Sequence, residues 1–121
     1  MKREKWLTGL ALPVAAVCTL LTGCANTTKD VALYQWDGYQ PQVYEYFKGQ
    51  KSPQEQIDAL EKARQQILAK GASVPPGFHA HLGMLYATVG NDAQAKTELL
   101  AEKQSFPESS TYMDFLLSKF Q

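Results

Sequence analysis

The spacing of small and large residues between positions 79 and 107 constrains the fold more than any other feature of the sequence. The segment reads H-x2-L-G-x2-Y-x8-A-x3-L-x7-P, with one small residue in each of two apolar stretches. Small residues let antiparallel helices approach closely, while large apolar residues fill the space around the contact. The spacing predicts a helical hairpin whose contact and end are set by Leu82, Gly83, Tyr86, Ala95, Leu99 and Pro107.

The same six positions resemble the tetratricopeptide repeat, W-x2-L-G-x2-Y followed by alanine, a large apolar residue and proline. His79 replaces the usual tryptophan and Glu102 the usual small residue, so the match is to a diverged repeat. Residues 42–70 with Pro75 resemble a degenerate preceding repeat, and residues 110–120 a terminal capping helix. The alternative is a generic hairpin that matches by coincidence. A stack of such repeats usually needs about three of them to bury a continuous core. The aromatic segment that precedes the helices, beginning at Tyr34, or a partner therefore has to cover part of this shorter stack.

Local start and end signals predict the remaining helices. Ser52 and Glu55 form a capping box around Pro53, and Gly71 follows the helix that they start. No strand of convincing length is apparent, so the expected class is all-α. Further helices are predicted near 42–48, from 78 to about 89, from Asn91 or Asp92 to the Phe106-Pro107 stop, and from Ser109 or Ser110 onward with Tyr112, Met113, Leu116 and Phe120 in one register.

The first 24 residues have the composition of a lipoprotein signal peptide. A basic start precedes an apolar run over 7–21, which is too short and too interrupted for a membrane span of about 20 residues. The run ends in Leu21, Thr22, Gly23 and Cys24, which resemble the lipobox of bacterial lipoproteins. The alternative is an ordinary signal peptide with an accidental cysteine. We expect a cleaved signal peptide at 1–23, a lipidated cysteine and tether at 24–33, and a TPR-like helical domain at 34–121.

Acyl chains on Cys24 are expected to hold the mature chain to a membrane, since two or more chains give stable anchoring. Ala25 follows where an aspartate would favour inner-membrane retention, so the expected location is the periplasmic face of the outer membrane. Cys18 leaves with the signal peptide, which excludes a disulfide within the mature chain. The mature chain keeps nine basic and eleven acidic side chains, a balance that gives no electrostatic reason to expect nucleic acid.

Residue types that carry chemistry are few and poorly placed. His79 and His81 lie two residues apart on a predicted helix, where their side chains point about 200° apart and cannot share a metal ion. One is expected to pack and the other to be exposed. Glu98 and Glu102 lie one helical turn apart, which usually indicates a solvated face. We therefore expect no catalytic residue, no metal ligand and no cofactor.

An aromatic cluster precedes the capping box. Tryptophan and tyrosine bury a large area with few rotatable bonds and are favoured at binding hot spots. We interpret Trp36, Tyr39 and Tyr44 as candidate partner-binding residues, with core packing of the rings as the alternative. The cluster comprises Tyr34, Trp36, Tyr39, Tyr44, Tyr46 and Phe47.

Four segments together resemble an uncharacterised family of small Gram-negative lipoproteins. They are Tyr34-Gln35-Trp36 with Tyr39; Pro75-Pro76-Gly77-Phe78-His79-Ala80-His81-Leu82-Gly83-Met84-Leu85-Tyr86; Glu102-Lys103 with Phe106-Pro107-Glu108-Ser109; and Met113-Asp114-Phe115-Leu116. Genes of that family commonly lie beside one for a lipoprotein similar to the curli secretion channel. The resemblance implies an accessory subunit of an envelope complex, and it supplies no catalytic residues.

These observations predict a non-catalytic helical adaptor that binds another envelope lipoprotein or a secretion pore. An enzyme or binding protein for cell-wall or exported substrates is one alternative, which predicts a polar pocket with clustered ionisable groups. A structural homo-oligomer is the other.

Overall fold

The structure is a computed structural model, which describes residues 32–120. The predicted signal peptide, the lipobox and Cys24 lie outside the described residues. Within them the chain is all-helical and contains no strand, which confirms the all-α prediction. The helices are α1 (Tyr39–Lys48), α2 (Pro53–Ala69), α3 (Phe78–Thr88), α4 (Asp92–Ser105) and α5 (Ser110–Leu117), with 3₁₀ turns at Pro107–Ser109 and Ser118–Phe120.

Helix α1 begins at Tyr39, earlier than the expected position 42. Pro41 lies in its first turn, where a backbone N–H would have no partner inside the helix, so proline is tolerated there. Gly38 precedes the helix with a φ of 81°, a left-handed conformation that suits glycine.

The boundaries of α2 follow from local chemistry, as predicted. The Ser52 N–H donates to the Glu55 carboxylate at 2.8 Å, and the Glu55 N–H donates to Ser52 Oγ at 3.3 Å. At the other end Gly71 adopts a φ of 68°, and its N–H donates to the Leu68 carbonyl at 2.9 Å. The Ala72 N–H reaches the Ile67 carbonyl at 3.2 Å, which completes a Schellman motif.

One residue both closes α3 and opens α4. The Asn91 N–H donates to the Tyr86 carbonyl at 2.9 Å, while the Asn91 side chain accepts from the Gln94 N–H at 3.2 Å. Gly90, with a φ of 77°, allows the reversal between them. The three residues 89–91 therefore connect two antiparallel helices.

Helices α3 and α4 approach each other closely at Gly83. A Cβ placed on Gly83 would lie 3.1 Å from Leu99 Cγ and 3.2 Å from the Ala95 carbonyl oxygen. Leu82, Ala95 and Leu99 are buried, and Tyr86 is half-buried. The main core lies where α3 packs against α1 and α2, and it comprises Tyr39, Ile57, Leu60, Ala63, Ile67, Val74, Phe78, Leu82 and Leu85.

Helix α5 buries less of its surface than the sequence register predicted. Met113 is buried against the rest of the domain, but Tyr112, which was expected beside it, is exposed. Among the five helices α5 makes its main contact with α4, so one face is covered and the other is left to solvent.

Candidate functional site

Glu98 and Glu102 are buried, so the expectation of a solvated face was wrong. Each carboxylate residue is 2% exposed. A buried carboxylate is costly unless charge partners and hydrogen-bond donors surround it. Both side chains have such partners on neighbouring helices, which a reading of α4 by itself cannot show.

Glu98 connects three helices. Its Oε1 accepts from Arg64 of α2 at 2.9 Å and from Gln94 of α4 at 3.0 Å. Its Oε2 accepts from His79 Nδ1 of α3 at 2.6 Å. Burial acts to raise the pKa of Glu98, but the hydrogen bonds from His79 and Gln94 and the charges of Arg64 and His79 together outweigh it, and the pKa lies below its usual value.

Glu102 supplies the cap that α3 lacks. The residue before α3 is Gly77, which has no side chain to cap it. Glu102 Oε1 accepts from the Gly77 N–H at 2.7 Å, and Oε2 accepts from the Ala80 N–H at 3.2 Å. Negative charge at a helix N-terminus also interacts favourably with the helix dipole. This role explains why a glutamate stands where the repeat pattern has a small residue.

A third carboxylate, that of Glu61 on α2, extends the network. Glu61 Oε2 pairs with Arg64, and its Oε1 accepts from the Tyr86 hydroxyl at 2.9 Å. Burial and the Glu61 hydrogen bond raise the pKa of Tyr86 to about 12. The carboxylates accept hydrogen bonds from side chains on neighbouring helices, so the network holds α2, α3 and α4 together.

The two histidines have different surroundings, and neither is exposed. His81 packs as one of the pair was expected to, with the Tyr46 ring edge-on at a centroid distance of 5.1 Å. Its Nε2 has no hydrogen-bond partner within residues 32–120, and burial lowers its pKa. The other histidine was expected to be exposed, but His79 instead binds Glu98. No group of three or more His, Cys, Asp and Glu side chains among the described residues is placed to hold a metal ion.

Tyr39 is not available to a partner, so this part of the predicted binding site was wrong. It is 8% exposed and packs on Phe78 with a ring-centroid distance of 5.2 Å. Burial, together with the charge of Glu102, raises the pKa of Tyr39 to about 12. The start of α1 turns this side chain inward, which the mixed aromatic sequence did not reveal.

The other two predicted residues, Trp36 and Tyr44, are exposed. Trp36 lies just before α1, where its carbonyl accepts from the Tyr39 N–H at 3.1 Å, and Tyr44 lies within the helix. Phe47 lies one turn beyond Tyr44 and is 80% exposed, a residue that the prediction missed. We call Trp36, Tyr44 and Phe47 the N-terminal aromatic surface.

A second exposed aromatic pair lies on α5 and was also missed. Tyr112 and Phe115 stack with ring centroids 6.3 Å apart and planes 16° apart. Lys119 Nζ lies 4.6 Å from the Phe115 ring centroid, much as Lys48 Nζ lies 5.2 Å from that of Tyr44. We call Tyr112 and Phe115 the C-terminal aromatic surface. The Tyr-x-x-Phe spacing shared by 44–47 and 112–115 was the available signal.

A cavity of about 270 Å³ lies between Tyr34, which precedes α1, and the ends of α2 and α4. None of its lining residues is acidic or basic, so it does not match the polar pocket that an enzyme or a binding protein for charged substrates would need. The lining residues are Tyr34, Leu68, Ser73, Val74, Ser105 and Phe106.

Comparison with known proteins identifies the domain. The family model described as a domain of unknown function, DUF4810, matches residues 33–116. The chain belongs to the DUF4810 family. No curated protein and no solved structure matches the DUF4810 chain. The matched range contains the carboxylate network and both aromatic surfaces, and the predicted lipobox precedes it. None of the helices within residues 32–120 has the length and hydropathy required to span a bilayer.

Proposed function

We propose that this DUF4810 protein is an outer-membrane lipoprotein that acts as a non-catalytic helical adaptor in an envelope or secretion-related complex. The anchor is Cys24 of the lipobox Leu21-Thr22-Gly23-Cys24, whose thiol takes a diacylglycerol thioether and whose amino group, freed by cleavage, can be acylated too. The acyl chains hold the domain at the periplasmic face of the outer membrane. Two or more chains make its release negligible.

The observation that carries the adaptor role is the pair of exposed aromatic surfaces. Tyr44 is 64% exposed and Tyr112 is 57% exposed, and each has an exposed phenylalanine one turn further along its helix. Aromatic side chains are enriched at protein interfaces, where they act as anchors. An adaptor held at a membrane needs an exposed surface for its protein partner, and this small domain has two candidates, on α1 and α5.

The proposed partner is another envelope lipoprotein similar to the curli secretion channel. Its support is the resemblance of the sequence to lipoproteins encoded beside such channels. The α3–α4 hairpin, with Gly83 and Ala95 at its contact, is compatible with a tetratricopeptide-like arrangement, in which stacked hairpins bind proteins.

The experiment is crosslinking in native membranes, followed by immunoprecipitation of the full-length protein and identification of what accompanies it. Wild type is compared with Tyr44→Ser/Phe47→Ser and with Tyr112→Ser/Phe115→Ser. Each pair is exposed, so thermal unfolding should show that both variants remain folded. Losing one interface hot spot costs about 2 kcal/mol, or roughly 30-fold in affinity, so one variant should lose the partner.

We expect an envelope lipoprotein in fixed ratio with the wild type. Recovery of the protein alone would refute the adaptor function, and crosslinks only to further copies of the chain would favour a structural homo-oligomer. Equal recovery of the partner with both variants would show that neither aromatic surface carries the contact.

A further inference from the structure

The N-terminal aromatic surface has the composition of a membrane interface. Trp36, Tyr44 and Phe47 are all exposed, and Lys48 extends over the Tyr44 ring. Tryptophan and tyrosine concentrate at the level of lipid headgroups, where the ring is buried and its polar edge stays hydrated. A lysine beside them can bury its aliphatic stem and direct the ammonium group toward the headgroups.

Helix α1 has two apolar sides, and the core uses only one of them. Tyr39 is buried and Val43 packs against the core, while Tyr44 and Phe47 point away from it. Burial within the domain therefore does not account for the outer side. With Phe47 80% exposed, this side is suited to an apolar or interfacial environment.

The tether keeps this surface close to lipid. Ala32 follows Cys24 by eight positions, so the segment between them spans at most about 28 Å even when it is fully extended. A domain of this size is about 30 Å across. Trp36 lies four residues beyond Ala32, and the exposed Leu33 lies between the two. An anchored Cys24 thus holds the surface at a high effective concentration next to the bilayer.

The charges around the surface balance. The exposed Asp37 and the half-buried Glu45 offset Lys48 and Lys51, and Lys48 lies 3.9 Å from Glu45. Attraction to anionic lipids is therefore weak, and interfacial partitioning of the aromatic rings is the main contribution.

We propose that the N-terminal aromatic surface inserts into the interfacial layer of the membrane that carries the Cys24 acyl chains, and so fixes the orientation of the domain. This inference rests on the proposed acylation of Cys24. It assigns lipid to the N-terminal aromatic surface and leaves the C-terminal aromatic surface to the protein partner.

The mature protein contains its own probe for this contact. The sequence has two tryptophans, and cleavage before Cys24 removes Trp6, so Trp36 is the sole tryptophan that remains. The mature lipidated protein is reconstituted into phosphatidylcholine vesicles, with and without bromine on the acyl chains, and separated by flotation. We expect Trp36 emission to be blue-shifted and to lose most of its intensity with brominated lipid, at both low and high salt.

The two control variants are matched in residue type and spacing, and all four side chains are exposed. Tyr44→Ser/Phe47→Ser should float with the vesicles but regain water-like Trp36 emission, while Tyr112→Ser/Phe115→Ser should be quenched like wild type. Failure to float would refute the anchor and this inference together. Flotation without quenching, equal loss of quenching in both variants, or shielding of Trp36 only when a protein partner is added would refute this inference and leave the anchor standing.

Discussion

Replacing Glu102 by alanine should lower the free energy of unfolding by about 2–4 kcal/mol, because the variant leaves two backbone donors without a partner. In the wild type the Gly77 N–H donates to the Glu102 carboxylate at 2.7 Å, and the Ala80 N–H donates to it at 3.2 Å. Gly77 cannot replace the lost cap, since it has no side chain. For a domain of this size the loss corresponds to a drop in Tm of roughly 10 °C or more.

Urea unfolding followed by circular dichroism measures the effect, with two further variants for comparison. Glu102→Gln keeps one acceptor oxygen and should lie between wild type and Glu102→Ala. Gln104→Ala changes an exposed side chain on the same helix and should stay within about 0.5 kcal/mol of wild type. If Glu102→Ala were as stable as Gln104→Ala, the proposed cross-helix cap would be wrong.

Three further outcomes are expected. Gly83→Ala should destabilise by about 1 kcal/mol in urea unfolding, because a Cβ 3.1 Å from Leu99 Cγ causes overpacking that exceeds the helix-propensity gain; a more stable variant would contradict this. Burial lowers the pKa of His81, so as the pH falls the histidine is protonated in the unfolded chain before it is protonated in the folded one. The free energy of unfolding should therefore keep its full His81 contribution above about pH 6.5 and decrease as the pH drops below that value. His81→Leu should reduce that fall when urea midpoints are compared at about pH 7.5 and about pH 5.5, and an unchanged pH dependence would assign it to other groups. Cys24→Ser should abolish metabolic labelling with palmitate and block maturation, whereas continued labelling would place the acyl group on another residue.

Local features of the fold were predictable because their causes lie within a few residues. Ser52 and Glu55 bond to each other across one turn, and Gly71 ends α2 through its own left-handed conformation. The contact at Gly83 follows from spacing along two consecutive helices. In each case the residues that determine the geometry are neighbours in sequence or belong to one hairpin.

The features that the sequence did not reveal depend on distant partners. Glu98 is buried because Arg64, 34 positions earlier, meets it from another helix. Tyr39 and Tyr44 lie in the same aromatic stretch, yet one contacts Phe78 and the other faces solvent. Which tyrosine points inward depends on where α1 starts and on which helices lie behind it, and a pattern along one segment contains neither fact.

The double use of Asn91 has a consequence for engineering and for natural variation in chain length. Its N–H closes α3 on the Tyr86 carbonyl while its side chain opens α4, so the connection has no spare residue. An insertion there has to break one of these bonds and shift the register of α4 against α3. Residues 49–52 and 70–77 connect the other large helices with more length available. Reporter peptides and evolutionary insertions should therefore be accepted in those two connections and rejected between α3 and α4.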